Sequence, residues 1–253
     1  MRLRGKISIV TGAAAGLGRA VAVRFAREGA KTVIADWDGP AGTALADELQ
    51  RSAMDALFLQ TDISDEASVK NLVGAAIERY GRIDVLYNNA AILLAGRDLP
   101  AHEIAMETWD GVMHVNLRGP FLCAKHCIPH MLQHGGGSIV NVASRTGLFG
   151  CSPLLTAYSA SKAGIVGLTR TMAAAYARDN IRVNAVIPGT MDTPMNQYLF
   201  AEMVTRERYR SAVPVGRLGT AEDIEGLAVF LASDEAAYCT GGVYMCDGGA
   251  TAV

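Results

Sequence analysis

The chain has 253 residues, half of them apolar, which is enough for one sizeable hydrophobic core. Its formal net charge of −2, with acidic and basic residues mixed along the length, gives no electrostatic footprint for nucleic acid or an anionic membrane surface. No segment reaches the roughly 18 uninterrupted apolar residues of a membrane span, and the N-terminal apolar stretch is too short for a signal peptide, so a soluble, cytoplasmic protein is expected.

Taken in chain order, short Val- and Ile-rich runs alternate with segments of helical periodicity. Strands are predicted at Lys6 to Thr11, Thr32 to Asp36, Ala56 to Thr61, Val85 to Asn89, Ser138 to Val142, Arg182 to Ile187 and Val243 to Asp247. Helices are predicted at Gly16 to Glu28, Pro40 to Arg51, Glu66 to Tyr80, Glu107 to Leu132, Ala157 to Arg178 and Ala221 to Ala232. This βαβ alternation predicts one α/β domain over the whole chain, a doubly wound parallel sheet of about seven strands with helices on both faces. No period of 20 to 50 residues repeats. The stretch from Gly189 to about Thr220 lacks strand character and mixes Pro, Met, aromatics and arginines; such excursions often cover sites, and a lid is expected at about 190–215.

The first strand runs into Thr11-Gly12-Ala-Ala-Ala-Gly16-Leu-Gly18 and then into helical spacing. A Gly-rich strand-to-helix turn lets backbone approach a pyrophosphate and sets the positive end of a helix dipole against it, although three glycines also make a plain tight turn. Asp36 ends the second strand, where a carboxylate accepts hydrogen bonds from both adenosine ribose hydroxyls and repels a 2′-phosphate. With Asp38 close behind and Ala15 uncharged, this favours NAD over NADP; the alternative for Asp36 is a strand-end turn residue. Asp62 and Asn89 stand at the carboxyl edge of the sheet, where open α/β sheets bind ligands, and Asp62 can equally cap the following helix.

Tyr158 and Lys162 are four residues apart in a predicted helix and share one face. A neighbouring cation favours a phenolate, so Lys162 is expected to lower the pKa of Tyr158 toward the working range of a general base. A surface Tyr-Lys pair is the alternative. Ser144 ends the fifth strand, 14 residues before Tyr158.

With these motifs in order, the chain resembles the short-chain dehydrogenase/reductase family. The match runs from Thr11 to Gly18 through Asp36, Asp62, Asn88-Asn89-Ala90, Asn116, Ser144, Tyr158, Lys162 and Pro188-Gly189 to the closing Gly241-Gly242 and Asp247-Gly248-Gly249. The resemblance implies a Rossmann-type domain, a homotetramer with interfaces on the two longest helices, and an NAD-dependent oxidoreductase that moves a hydride between the nicotinamide and a secondary alcohol or ketone. A small alcohol, polyol or sugar is the expected substrate, and no metal is needed. Tyr158 would be the general acid/base, Lys162 would lower its pKa and hold the nicotinamide ribose, Ser144 would hydrogen-bond the substrate oxygen, and Asn116 would fix a water chain from Lys162. Gly12, Ala14, Gly16, Leu17, Gly18, Asp36, Asp62, Ile63, Asn89, Ala90, Pro188, Gly189, Thr190 and Thr193 would hold the cofactor together with Tyr158 and Lys162. An NADPH-dependent ketoreductase, such as a 3-oxoacyl thioester reductase, is the alternative; a non-catalytic dinucleotide sensor is a second, and the intact tetrad argues against it.

The chain departs from the family pattern at Ala91, where glycine is usual and a positive φ would cost about 1 kcal/mol. The segment from Ser144 to Tyr158 is also about one residue longer. Specificity is expected from the loops Ile92 to Arg97, Arg145 to Leu155 and Met191 to Arg210, with Arg145 placed to meet a carboxylate or hydroxyl and the Met-rich lid suiting a partly hydrophobic substrate.

Other patterns are read as structural. His126, His130 and His134 recur at helical spacing, but Pro129 lies among them and no carboxylate or cysteine nearby completes a metal set. Arg206, Arg208 and Arg210 are expected on a solvated surface. The odd number of scattered cysteines, Cys123, Cys127, Cys151, Cys239 and Cys246, indicates reduced thiols.

Overall fold

The computed structural model describes residues 1–149, 152–200 and 203–252. Its seven strands are β1 (Ile7–Thr11), β2 (Lys31–Asp36), β3 (Ala56–Gln60), β4 (Val85–Asn88), β5 (Gly137–Val142), β6 (Ile181–Pro188) and β7 (Val243–Cys246), all paired in parallel in the order β3-β2-β1-β4-β5-β6-β7. Each lies within a residue of its predicted bounds at either end. The order reverses between β1 and β4, so the crevice that binds ligands in such sheets opens above their carboxyl ends.

Consecutive strand residues point to opposite faces, and both faces are buried. Val10, Ile34, Val140 and Val186 pack under α1 (Gly16–Arg27), α2 (Gly39–Arg51) and, further along the chain, the helix Glu225–Ala232. Ile9, Val33, Ile139 and Val183 face α3 (Glu66–Tyr80) and the long helices that follow it. The predicted helix from Glu107 to Leu132 is three pieces: α4 (Met106–Met113), a π-turn at His114–Arg118 and α5 (Gly119–Gln133), which tolerates Pro129 inside it.

Three elements beside the carboxyl edge of the sheet were not expected. A five-residue helix, α6 (Arg145–Phe149), fills part of the segment read as a loop, and a short 3₁₀ turn at Pro194–Phe200 precedes α8 (Met203–Ser211). Between them runs α7 (Thr156–Tyr176), and the helix after α8 is α9 (Glu225–Ala232), entered through a 3₁₀ turn that Thr220 and Asp223 cap. Among the described residues no helix is long and apolar enough to cross a membrane. Cys123 and Cys127 are free and buried, and Cys239 and Cys246 are free; Cys151 lies outside the described residues.

Candidate active site

At the β1–α1 turn, backbone touches backbone. Gly12 adopts φ +62°, and a Cβ there would stand 2.7 Å from Cα of Ala90; a Cβ on Gly18 would stand 2.0 Å from the Gly12 carbonyl oxygen. The Asn89 amide donates to the carbonyls of Thr11 (3.1 Å) and Gly12 (3.0 Å), and the Thr11 hydroxyl accepts from the backbone N–H of Asn89 and Ala90. Asn89 therefore ties β4 to the turn. Helix α1 begins with no side-chain cap and no acidic residue in its first turn, so its N–H groups and dipole are left to meet an anion.

The buried Asp36 carboxylate accepts from the N–H of Ala14 (2.8 Å) and of Asp38 (3.1 Å), which fixes it at the end of β2 with lone pairs to spare. Asp62 does not cap a helix: it accepts from Ser64 N–H and hydroxyl at 2.8 and 2.7 Å, and Asp65 caps α3 instead.

A cavity of about 740 Å³ runs from Asp36 over the Gly-rich turn to the tyrosine and lysine of α7. Gly12, Ala14, Gly16, Leu17, Asp36, Asp62, Ile63, Asn89, Ala90, Ser144, Tyr158, Lys162, Pro188, Gly189, Thr190 and Thr193 all line it. Gly18 and Asn116 are packed behind its wall. The glycine cradle, the uncapped helix start and the fixed Asp36 carboxylate suit a dinucleotide: phosphates fit over the turn and a ribose fits at the carboxylate.

At the other end, α7 is anchored by a residue that the sequence reading missed. Asp98, fully buried in the loop after β4, accepts from the N–H of Ala157 and of Tyr158, each at 2.9 Å. It caps the helix from a distance, since Leu155 at the N-cap has no capping side chain. An aspartate 60 residues away in sequence gives no local capping pattern to read.

The buried Lys162 ammonium donates to the Val142 carbonyl at 2.8 Å and lies 5.8 Å from the centre of the Tyr158 ring. Burial lowers its pKa to about 8. The expected lowering of Tyr158 is not found: burial pushes its phenol up to about 12, with the nearby Ser144 hydroxyl opposing the rise. Desolvation is the largest cause, and the Lys162 ammonium, turned to the Val142 carbonyl, is not among the groups that move it. Ser144 itself shares a 2.9 Å hydrogen bond with the Thr146 hydroxyl.

Asn116 sits in the π-turn, fully buried, and its side chain closes a two-way pair with the Ile92 backbone, accepting at 2.8 Å and donating at 2.9 Å. It holds the loop after β4 against α7 through a longer contact to Ser161. Ala91 carries no strain, for the only non-glycine residues at positive φ among those described are Ala53 and Asn180. Gly189 approaches the residue after β7 so closely that a Cβ would meet Cα of Asp247 at 2.6 Å.

The histidine pattern read as structural needs one correction. Glu66, from α3, does stand beside His126 at 3.0 Å, but it also holds Lys125 at 2.7 Å, and no metal-binding group of three occurs among the described residues. Arg206 pairs with Asp192 and stacks on Phe200, and Arg210 pairs with Glu207 on the helix surface.

The family model described as enoyl-(acyl carrier protein) reductase matches residues 12–251. A 3-oxoacyl-[acyl-carrier-protein] reductase, FabG, of Thermotoga maritima is 42% identical over 98% of this chain and 99% of its own length. A cis-4-hydroxycyclohexanecarboxylate dehydrogenase of Sinomonas cyclohexanicum is 41% identical over 98% and 97%. The crystal structure of levodione reductase superposes with a TM-score of 0.94 at 37% identity, over all of both chains. A candidate NAD(P)-dependent gluconate 5-dehydrogenase from Beutenbergia cavernae, with NADP bound at low occupancy, gives 0.93 at 36% identity over 99% and 98%. The chain belongs to the short-chain dehydrogenase/reductase family. It is an oxidoreductase acting on CH–OH or keto groups of a small molecule with a nicotinamide cofactor.

Proposed function

We propose that this protein is an NAD-linked dehydrogenase of a secondary alcohol, polyol or sugar, working as a cytoplasmic homotetramer whose assembly gel filtration would read directly. The observation that carries the reading is the single cavity with the fixed Asp36 carboxylate at one end and Ser144, Tyr158 and Lys162 at the other. The cofactor, when bound, supplies the site that takes or gives the hydride. Gly12, Gly16, Leu17 and Asp36 would hold its adenosine and phosphate side, and Pro188, Gly189, Thr190 and Thr193 would border its reactive end.

The remaining chemistry belongs to the protein. Ser144 donates a hydrogen bond to the substrate oxygen and steadies charge that develops there. Tyr158 moves the proton: with a pKa near 12 its phenol is protonated at neutral pH, the state that protonates a carbonyl, and its capacity as a base for alcohol oxidation grows as pH rises. Lys162 places a cation beside the tyrosine and the ribose, and Asn116 holds the Ile92 wall and the helix bearing both residues. The lid expected at about 190–215, in its described parts 190–200 and 203–215, would cover the substrate.

A second reading, an NADPH-dependent 3-oxoacyl thioester reductase, draws support from the FabG relative and the family description. The two part at Asp36, which repels a 2′-phosphate. Measuring kcat/KM with both cofactors separates them: at least about 10-fold preference for NAD is expected, narrowing about 10-fold in Asp36→Ala. A preference for NADPH in the unaltered enzyme would favour the second reading.

A further inference from the structure

The charges along the cavity are segregated. Asp36, Asp38 and Asp62 stand at the Gly-rich end, and the far end carries two cations, Lys162 and Arg145. The Lys162 ammonium is already engaged by the Val142 carbonyl. Arg145 follows Ser144 directly, is half-buried and lines the cavity, and no described residue accepts a hydrogen bond from its guanidinium or comes within ion-pair distance of it.

The described acidic residues that line the cavity are Asp36, Asp38 and Asp62, all at the Gly-rich end. The acidic residues described in the segment after β6, Asp192 and Glu207, do not line the cavity and are each paired to an arginine, Arg206 and Arg210. Among the residues by which that segment lines the cavity are Met195, Tyr198 and Tyr209, with Asn196 beside them. A guanidinium presents a planar fork of donors that matches a carboxylate, and it stays charged at every working pH. Half-buried in the cleft with no described carboxylate beside it, it gains most from a ligand that brings an anion.

We propose that the substrate is a hydroxy acid or the corresponding keto acid, with an apolar body against Met195 and the two tyrosines and a carboxylate received by Arg145. The proposal rests on the dehydrogenase reading, because it places the reacting hydroxyl or carbonyl at Ser144 and Tyr158. A single arginine suits a monoanion better than a phosphate dianion, which draws on more donors than one fork supplies.

The test is an equilibrium titration of enzyme saturated with NADH, comparing cyclohexanecarboxylate with the uncharged cyclohexanecarboxamide and with cyclohexyl phosphate. Carboxylate is expected to bind at least about 10-fold tighter than carboxamide. That ratio should fall to about one in Arg145→Met and be partly restored in Arg145→Lys; a ratio taken within one variant does not depend on how much of that variant is folded. Equal binding of carboxylate and carboxamide, a ratio that survives in Arg145→Met, or a preference for cyclohexyl phosphate would each overturn the proposal. None of these readings requires turnover. If NADH and carboxylate bind as stated and neither hydroxy acids nor neutral alcohols are oxidised, the dehydrogenase reading itself fails, and the assignment of a substrate falls with it.

Discussion

At the Gly-rich end of the cavity, Gly12 and Gly18 leave no room for a methyl group, Thr11 and Asn89 each hold the turn by two hydrogen bonds, and Asp36 holds it through the Ala14 N–H. At the other end, α8 buries no side chain, and Met195, Tyr198 and Met203 are 40%, 44% and 87% exposed. One end is fixed by interlocking backbone, so the surface it presents to a cofactor is set by the fold. The other is loosely packed, so its few polar groups and adaptable apolar side chains can differ between enzymes without cost to the fold.

The contrast can be broken most forcefully at Gly18. Gly18→Ala drives a Cβ into the Gly12 carbonyl and should cost about 2–3 kcal/mol in a urea unfolding experiment, with loss of NADH binding. Unchanged stability would mean that the turn has slack.

A smaller effect, dependent on pH, is expected at Lys162. The folded protein releases this proton near 8 and the unfolded chain near 10.5, so burial of the charge penalises the folded state below pH 8, and the penalty fades as pH rises toward 10.5. The shift corresponds to about 3 kcal/mol, offset by about 1 kcal/mol for the hydrogen bond to Val142. Lys162→Met should therefore be more stable than the parent by about 2 kcal/mol at pH 7, and the gain should vanish by pH 10.5. A gain independent of pH would rule out the buried charge as its cause.

The smallest effect belongs to the exposed segment. Met195→Ala should change stability by less than about 0.5 kcal/mol while shifting KM for the substrate several-fold. A loss of 2 kcal/mol would show the segment to be a packed part of the fold.

Much of this was legible in the sequence because the signals are local. Val- and Ile-rich runs bounded by Gly and Asp set the seven strands, and the spacing of Gly12, Gly16 and Gly18 set the turn. What was hidden depends on partners distant along the chain. Asp98 caps α7 from nearly 60 residues away, and the π-turn at Asn116 lies within a periodicity that reads as ordinary helix. The pKa of Tyr158 is hidden for a related reason: spacing places Lys162 on its face, but only the packing shows the phenol buried and the ammonium turned to the Val142 carbonyl. Glu66 reaches His126 across two helices, so no spacing within either one announces it.

Proton transfer by Tyr158, within a site that still binds the cofactor without it, is the step on which the proposed chemistry depends. The direct measurement is the rate of nicotinamide absorbance change at 340 nm with a turned-over alcohol for the parent and Tyr158→Phe, with NADH affinity measured in both. A fall in kcat of at least about 10³-fold with NADH affinity held within a few-fold is the predicted result. Retention of more than a tenth of the parent rate with the same pH profile would contradict it, and the acid/base of this enzyme would have to be sought elsewhere.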